Sequence, residues 1–163
     1  MLRGALQKRR GDDGASAVEF ALVCPLLIML VFGIIQFGIV FAQQLSLSNG
    51  ARQGARLGAV NKTMCGDIVS QVQQSADTIG LTSTSVQVQV QLKDGSTTTT
   101  PCGYTASTST SGTGATQPCL GSSASARLIV TAKFGSSLII PLVTSISTLN
   151  LSGTGVYRCE YTN

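Results

Sequence analysis

Residues Gly14 to Pro25 read G-A-S-A-V-E-F-A-L-V-C-P and open an apolar run that lasts to Ala42. Before this junction stands a short leader carrying Arg3, Lys8, Arg9 and Arg10, offset by Asp12 and Asp13. After it, Phe20 to Ala42 has Gln36 as its one strongly polar side chain. At about 1.5 Å per residue the run measures roughly 34 Å, enough to cross about 30 Å of hydrocarbon. Pro25 falls in the first turns, where it is tolerated or gives a modest kink. Gly33 and Gly38 are at home in a membrane helix. Glu19 lies at the mouth of the run. A carboxylate costs about 2.5–3.5 kcal/mol at the centre of a membrane helix and less at the boundary, so Glu19 is a functional candidate that calls for a partner.

The chain has 163 residues, which suits one small domain plus a membrane element. Its net charge is +4, with much of the positive charge in the first ten residues. No basic stripe interleaved with aromatics follows and there is no Trp, which argues against nucleic acid as a partner. The leader reads instead as a cytoplasmic flank of a bilayer-spanning helix. Arg52, Arg56 and Lys62 follow the span and nearly balance it, so charge alone does not orient the chain. The cysteines orient it better. Cys65, Cys102, Cys119 and Cys159 all follow the span, and an even count in a small domain suggests two disulfides and an extracytoplasmic, oxidising compartment. A metal site is the weaker reading, because none of these cysteines has CxxC spacing and the chain has no His. Cys24, inside the apolar run, reads as an unpaired small hydrophobe.

Catalysis finds little support, and no cofactor is expected. Without His, acid–base work would fall to carboxylates or a lysine. After the span the acids are Asp67, Asp77, Asp94 and Glu160, scattered along the chain. Glycines recur at Gly50, Gly54 and Gly58, but the lysine-serine end of a phosphate loop is missing.

Four segments follow: a leader over 1–14, a helix over 15–60 with its membrane part at about 20–42, a helix and strand over 61–92, and a strand-rich end over 93–163. Residues 61–163 form the extracytoplasmic domain. Gly50, Gly54 and Gly58, each followed by Ala, make a helix ridge of almost no side-chain volume that another backbone can approach closely. This ridge is a candidate packing surface for assembly. A second helix is expected over Cys65 to Ile79, with Asp67 favourable near its start and Gly80 ending it. Val86 to Leu92 alternates as a half-buried strand does. Residues 95–125 are dominated by Ser, Thr and Gly and have too few apolar groups to order themselves by burial. Ala126 to Phe134 is the second expected strand. Leu138 to Val143, with Pro141, reads as a packed connection. Leu149 to Tyr157 is the third strand, with Gly153 and Gly155 marking a bulge or bend. The expected fold is α+β: a long helix on a small antiparallel sheet, with a second short helix. Four cysteines allow three pairings, and the sequence does not choose among them. Cys102 with Cys119 would close the insert on itself, and Cys65 with Cys159 would clamp the second helix to the C-terminal end.

Gly14, the Glu19-Phe20 pair and the apolar helix after them resemble the start of a type IV prepilin, and specifically of the TadE-like pseudopilins of the tight-adherence (Tad, or Flp) branch. The end of the chain is similar too: a strand, a Pro-containing connector, a last strand, then Arg158-Cys159-Glu160. The resemblance implies a pilin-like structural protein needed to assemble an adhesive pilus. It implies cleavage by a prepilin peptidase between Gly14 and Ala15, which makes Glu19 the fifth mature residue. It implies that Glu19 pairs with the terminal amine of a neighbouring subunit and that Phe20 belongs to the same assembly motif. The implied partners are the peptidase, the major Flp pilin and other pseudopilins, the inner-membrane assembly platform and the lipid bilayer. The implied location is the bacterial inner membrane, crossed once, with the C-terminal domain outside the cytoplasm. The major pilins of this branch are far shorter and often carry Tyr after the glutamate, and the Ser/Thr-rich insert is not part of their pattern.

Two rival readings give the run another role. Val40-Phe41-Ala42 has residues suited to signal peptidase, which would release a soluble secreted domain starting at Gln43, but the apolar region is longer than usual. A lipid anchor at Cys24 is disfavoured, because Val23 replaces the small residue needed before it. Without processing, the chain would be a plain membrane-anchored domain.

Overall fold

A single helix, α1 (Asp12–Val60), carries both the apolar run and the glycine ridge without a break. The computed structural model describes residues 12–77, 81, 85–105, 108–111, 116–138 and 147–161. Leader residues 1–11, the helix stop at Ile79 and Gly80, the centre of the Ser/Thr-rich insert and the Pro141 connector lie outside them.

A short α2 (Cys65–Ser75) follows, capped at Ala76. It buries Ile68, Val69 and Val72, and Asp67 stands in its first turn, where the helix dipole favours an acid. Five strands then form one antiparallel sheet in the order β3-β2-β1-β4-β5. They are β1 (Gln87–Asp94), β2 (Thr97–Thr105), β3 (Thr108–Ser111), β4 (Arg127–Leu138) and β5 (Ser147–Arg158). Strict alternation sets the faces. Val88 and Val90 of β1 point into the core beside Leu128, Val130 and Ala132 of β4, while Gln87, Gln89, Arg127 and Lys133 point out. The chain is therefore an α+β protein with both helices on one face of the sheet.

Two expectations are corrected. The Ser/Thr-rich stretch does not stay without order, because β2 and β3 extend the sheet through it. Its threonines are β-branched and suit a pleated surface even where little is buried. The turn after Asp94 uses Gly95 at φ 60°, a left-handed conformation that glycine adopts freely. Pro101 is accommodated by an irregularity: Val90 pairs with Cys102 but Leu92 with Thr99, so an extra residue of β2 is left over where Pro101 cannot donate.

The second correction concerns Gly153 and Gly155. They make no bulge, since β4 and β5 pair without interruption from Arg127–Arg158 to Leu138–Ser147. They mark a close approach of α1 to the sheet. A Cβ on Gly153 would stand 2.5 Å from the Leu47 carbonyl carbon and from the Ser48 nitrogen. One on Gly155 would collide with the Ala51 carbonyl oxygen.

Candidate functional site

The two halves of α1 meet different surroundings. From Val18 to Phe37 the large apolar side chains stand open, with Phe20 67%, Leu22 75% and Phe37 73% exposed, whereas Ile39 is half-buried and Val40 packs against the edge of the core. They surround the helix instead of forming one stripe. Helices apolar all round belong inside protein or lipid. The best window of this helix has a mean hydropathy of 2.6, and none of it is buried in the chain. By length and apolarity this half fits a single crossing of a membrane. Pro25 sits within it and offers no N–H, which leaves the Ala21 carbonyl without its usual helical donor.

Gly14 and Glu19 lie at the open end. α1 is helical from Asp12, the first described residue, so the Gly14–Ala15 peptide bond lies within the helix. A Cβ at Gly14 would meet nothing within 4 Å. The fold therefore places no steric demand for glycine there. Glu19 is exposed, about one turn from Ala15, and no ion pair joins it to another described residue.

The second half of α1 is a core element. Leu47, Ala51, Ala55 and Ala59 are fully buried. Ala51 and Leu47 rest on Gly155 and Gly153 of β5, and the Ala59 carbonyl accepts a hydrogen bond from the Glu160 N–H at 2.9 Å. The glycine ridge faces α2 of the same chain. A Cβ on Gly50 would stand 2.9 Å from the Val72 carbonyl oxygen. One on Gly54 would collide with Val72 Cγ2, and one on Gly58 would lie 2.5 Å from Ile68 Cδ1 and 2.7 Å from Leu128 Cδ2. Small residues bring the helix axes close, as anticipated, but the surface is taken up within the domain and is not open to another subunit. Gly153 and Gly155, the platform for the same helix, were readable as two glycines at period two in an alternating strand, the mark of a close backbone approach.

The cysteines pair as Cys65–Cys102 and Cys119–Cys159, with Cα atoms 6.1 and 5.8 Å apart. This corrects both guessed pairs. The fold puts Cys102 on the core side of β2, under the start of α2, so the insert is tied to the helix layer and not to itself. Cys119 lies in a turn that wraps the end of β5, with Cys159 N–H bonded to the Ala126 carbonyl at 2.9 Å. All four are buried, whereas Cys24 is free. Asp94 accepts hydrogen bonds from the Ser123 backbone N–H at 2.9 Å and from its hydroxyl, which holds this turn to the end of β1. Those two bonds hold the Asp94 carboxyl below its ordinary pKa.

Residues 14–56 match the sequence model of the family described as TadE-like protein. Over this segment the chain is similar to TadE-like proteins. The TadE-like segment begins at Gly14, takes in the whole bare half of α1 and ends within the packed half, before α2. No curated protein and no solved structure matches the chain.

Proposed function

We propose that this TadE-like chain is a minor pilin or pseudopilin needed to assemble a Tad (Flp) pilus used in surface adherence, matured by a prepilin peptidase between Gly14 and Ala15. The observation that carries the reading is a coincidence of limits: the family match starts at Gly14, and the helix after it is bare and apolar on every side. Cleavage there frees an α-amine on Ala15, cationic near neutral pH. It also moves Glu19 toward the new helix start, where free N–H groups and the dipole favour a carboxylate. The amine of a neighbouring subunit supplies Glu19 with the ion-pair partner that no described residue of its own chain offers. Such a pair offsets part of the desolvation cost and fixes register. Phe20 and the apolar side chains after it face lipid in the precursor and other helices in the filament.

The buried disulfides favour an oxidising compartment, so the domain stands outside the cytoplasm of a bacterium and the basic leader inside. The role is structural and not catalytic. Its partners are the peptidase, the major pilin and other pseudopilins, the assembly platform of the inner membrane and the bilayer itself.

The test is the N-terminus of the mature protein in its native host, by intact mass and N-terminal peptide sequencing. A start at Ala15 that disappears when Gly14 is substituted supports the proposal. A start at Gln43, or an intact Met1, overturns it.

A further inference from the structure

The sheet face opposite the helices is open among the described residues, and its side chains stand in cross-strand rows. Lys93 lies directly opposite Arg127, and Arg127 directly opposite Arg158. All three are exposed, and Thr98 continues the row on β2. The following rows are Gln91–Ile129–Val156, Gln89–Thr131–Thr154 and Gln87–Lys133–Ser152. Cations thus stand in the first and the last of these four rows, and no carboxylate is among the described side chains of this face. Asp94, the next residue after Lys93, alternates to the other side and is held by Ser123.

Like charges directly opposite one another weaken a sheet. With strands about 4.8 Å apart, the Lys93, Arg127 and Arg158 positions span roughly 10 Å. No ion pair joins any of the three to another described residue. Arg158 is held in place, since its Nε donates to the Ala124 carbonyl at 2.6 Å, which leaves its terminal N–H groups for another acceptor. A row of opposed cations with no counterion among the described residues is suited to an anion from outside.

We infer that this face docks an anionic polysaccharide, an extended chain carrying carboxylates. The cation row supplies the charge, and the Arg forks suit carboxylate geometry. The Gln and Thr rows beside it carry neutral donors and acceptors, which sugar hydroxyls need. The bilayer is the wrong source of anions for this row. α1 and β5 run in the same direction, so Ser152 lies beside Gln44, bonded at 2.8 Å, while Glu160 lies beside Ala59. The row is therefore on the order of 20 Å along α1 from Ala42, at the end turned away from the apolar half. Protein interfaces centre on aromatic anchors, and single-stranded nucleic acid stacks on them. The described side chains of this face include no aromatic ring.

The test uses the full chain in phosphatidylcholine nanodiscs, with sodium polygalacturonate as the probe and neutral dextran as its control. Binding is expected to polygalacturonate and not to dextran, and to weaken as salt rises. The double variant Lys93→Gln with Arg127→Gln is expected to bind about tenfold more weakly. Its melting temperature stays the same or rises, because a repulsion is gone. The variant Arg52→Gln with Arg56→Gln changes net charge equally on another surface and is expected to lose less than about twofold. Absence of binding, or equal losses in the two variants, overturns the inference. So does tighter binding to polyglutamate or duplex DNA, which would assign the face to a protein or a nucleic acid instead.

Discussion

The two halves of α1 are built from similar small and apolar residues, yet they answer to different neighbours. Before Ala42 the helix carries Gly33 and Gly38, and a Cβ at either would meet open space. After it the helix carries Gly50, Gly54 and Gly58, where a Cβ would press on α2. The first half exposes Phe and Leu; the second buries Leu47 and three alanines. A glycine in a long helix thus has no fixed meaning. In the packed half it sets the distance between two helices of one chain. In the bare half none of the described residues requires it.

The sharpest way to break this comparison is to fill the ridge. Gly54→Leu is expected to destabilise the domain by more than about 3 kcal/mol, because α2 cannot yield without opening the core. Urea unfolding in detergent measures it. A stable Gly54→Leu domain would mean that the ridge is not packed. If the domain is destabilised as expected, loss of pilus assembly in this variant reports a misfolded domain and not a blocked docking surface.

Next in size are the disulfides. Removing Cys119–Cys159 by paired Ser substitution is expected to lower stability by about 3–4 kcal/mol, given the length of the closed loop. The loss should appear in domain unfolding and leave membrane extraction behaviour unchanged.

A smaller effect belongs to Asp94. Its pKa in the fold lies below the ordinary value of 3.8. A lowered carboxylate pKa stabilises fully above the ordinary value and ceases to do so as pH falls through the folded one. The melting temperature of the parent should therefore exceed that of Asp94→Asn at neutral pH, with the gap closing below about pH 4. A gap that persists in acid would mean that the Ser123 contacts do not depend on the charge.

The smallest stability effects are expected in the bare half. Gly33→Leu and Glu19→Gln should leave domain unfolding within about 0.5 kcal/mol of the parent. Glu19→Gln should still abolish incorporation into pili, read by immunoblot of sheared filaments. Normal incorporation would remove the role proposed for its charge.

Much of this organisation was legible in the sequence, because period and composition report burial directly. The long helix, the alternating strands at Val86 and Ala126, and the small-residue ridge all followed from spacing. The Ser/Thr-rich insert was misjudged because low apolar content was taken as lack of order. Asp94-Gly95 ahead of a threonine run was the missed hairpin signal. The disulfide pairs were not legible, because pairing depends on which strand lies under α2, and that is a property of sheet order. Gly14 and Glu19 were found through a resemblance and not through packing, since no contact among the described residues marks either of them.

Under the proposed function α1 is held by two different things, lipid before Ala42 and its own domain after it. Hydrogen exchange on the bilayer-inserted protein tests this, before and after the domain is unfolded by urea with a thiol reductant. The account predicts that the amides of Leu26 to Val40 stay protected throughout, while those of Gln43 to Val60 exchange once the domain opens. Loss of protection along the whole helix in one step would contradict it.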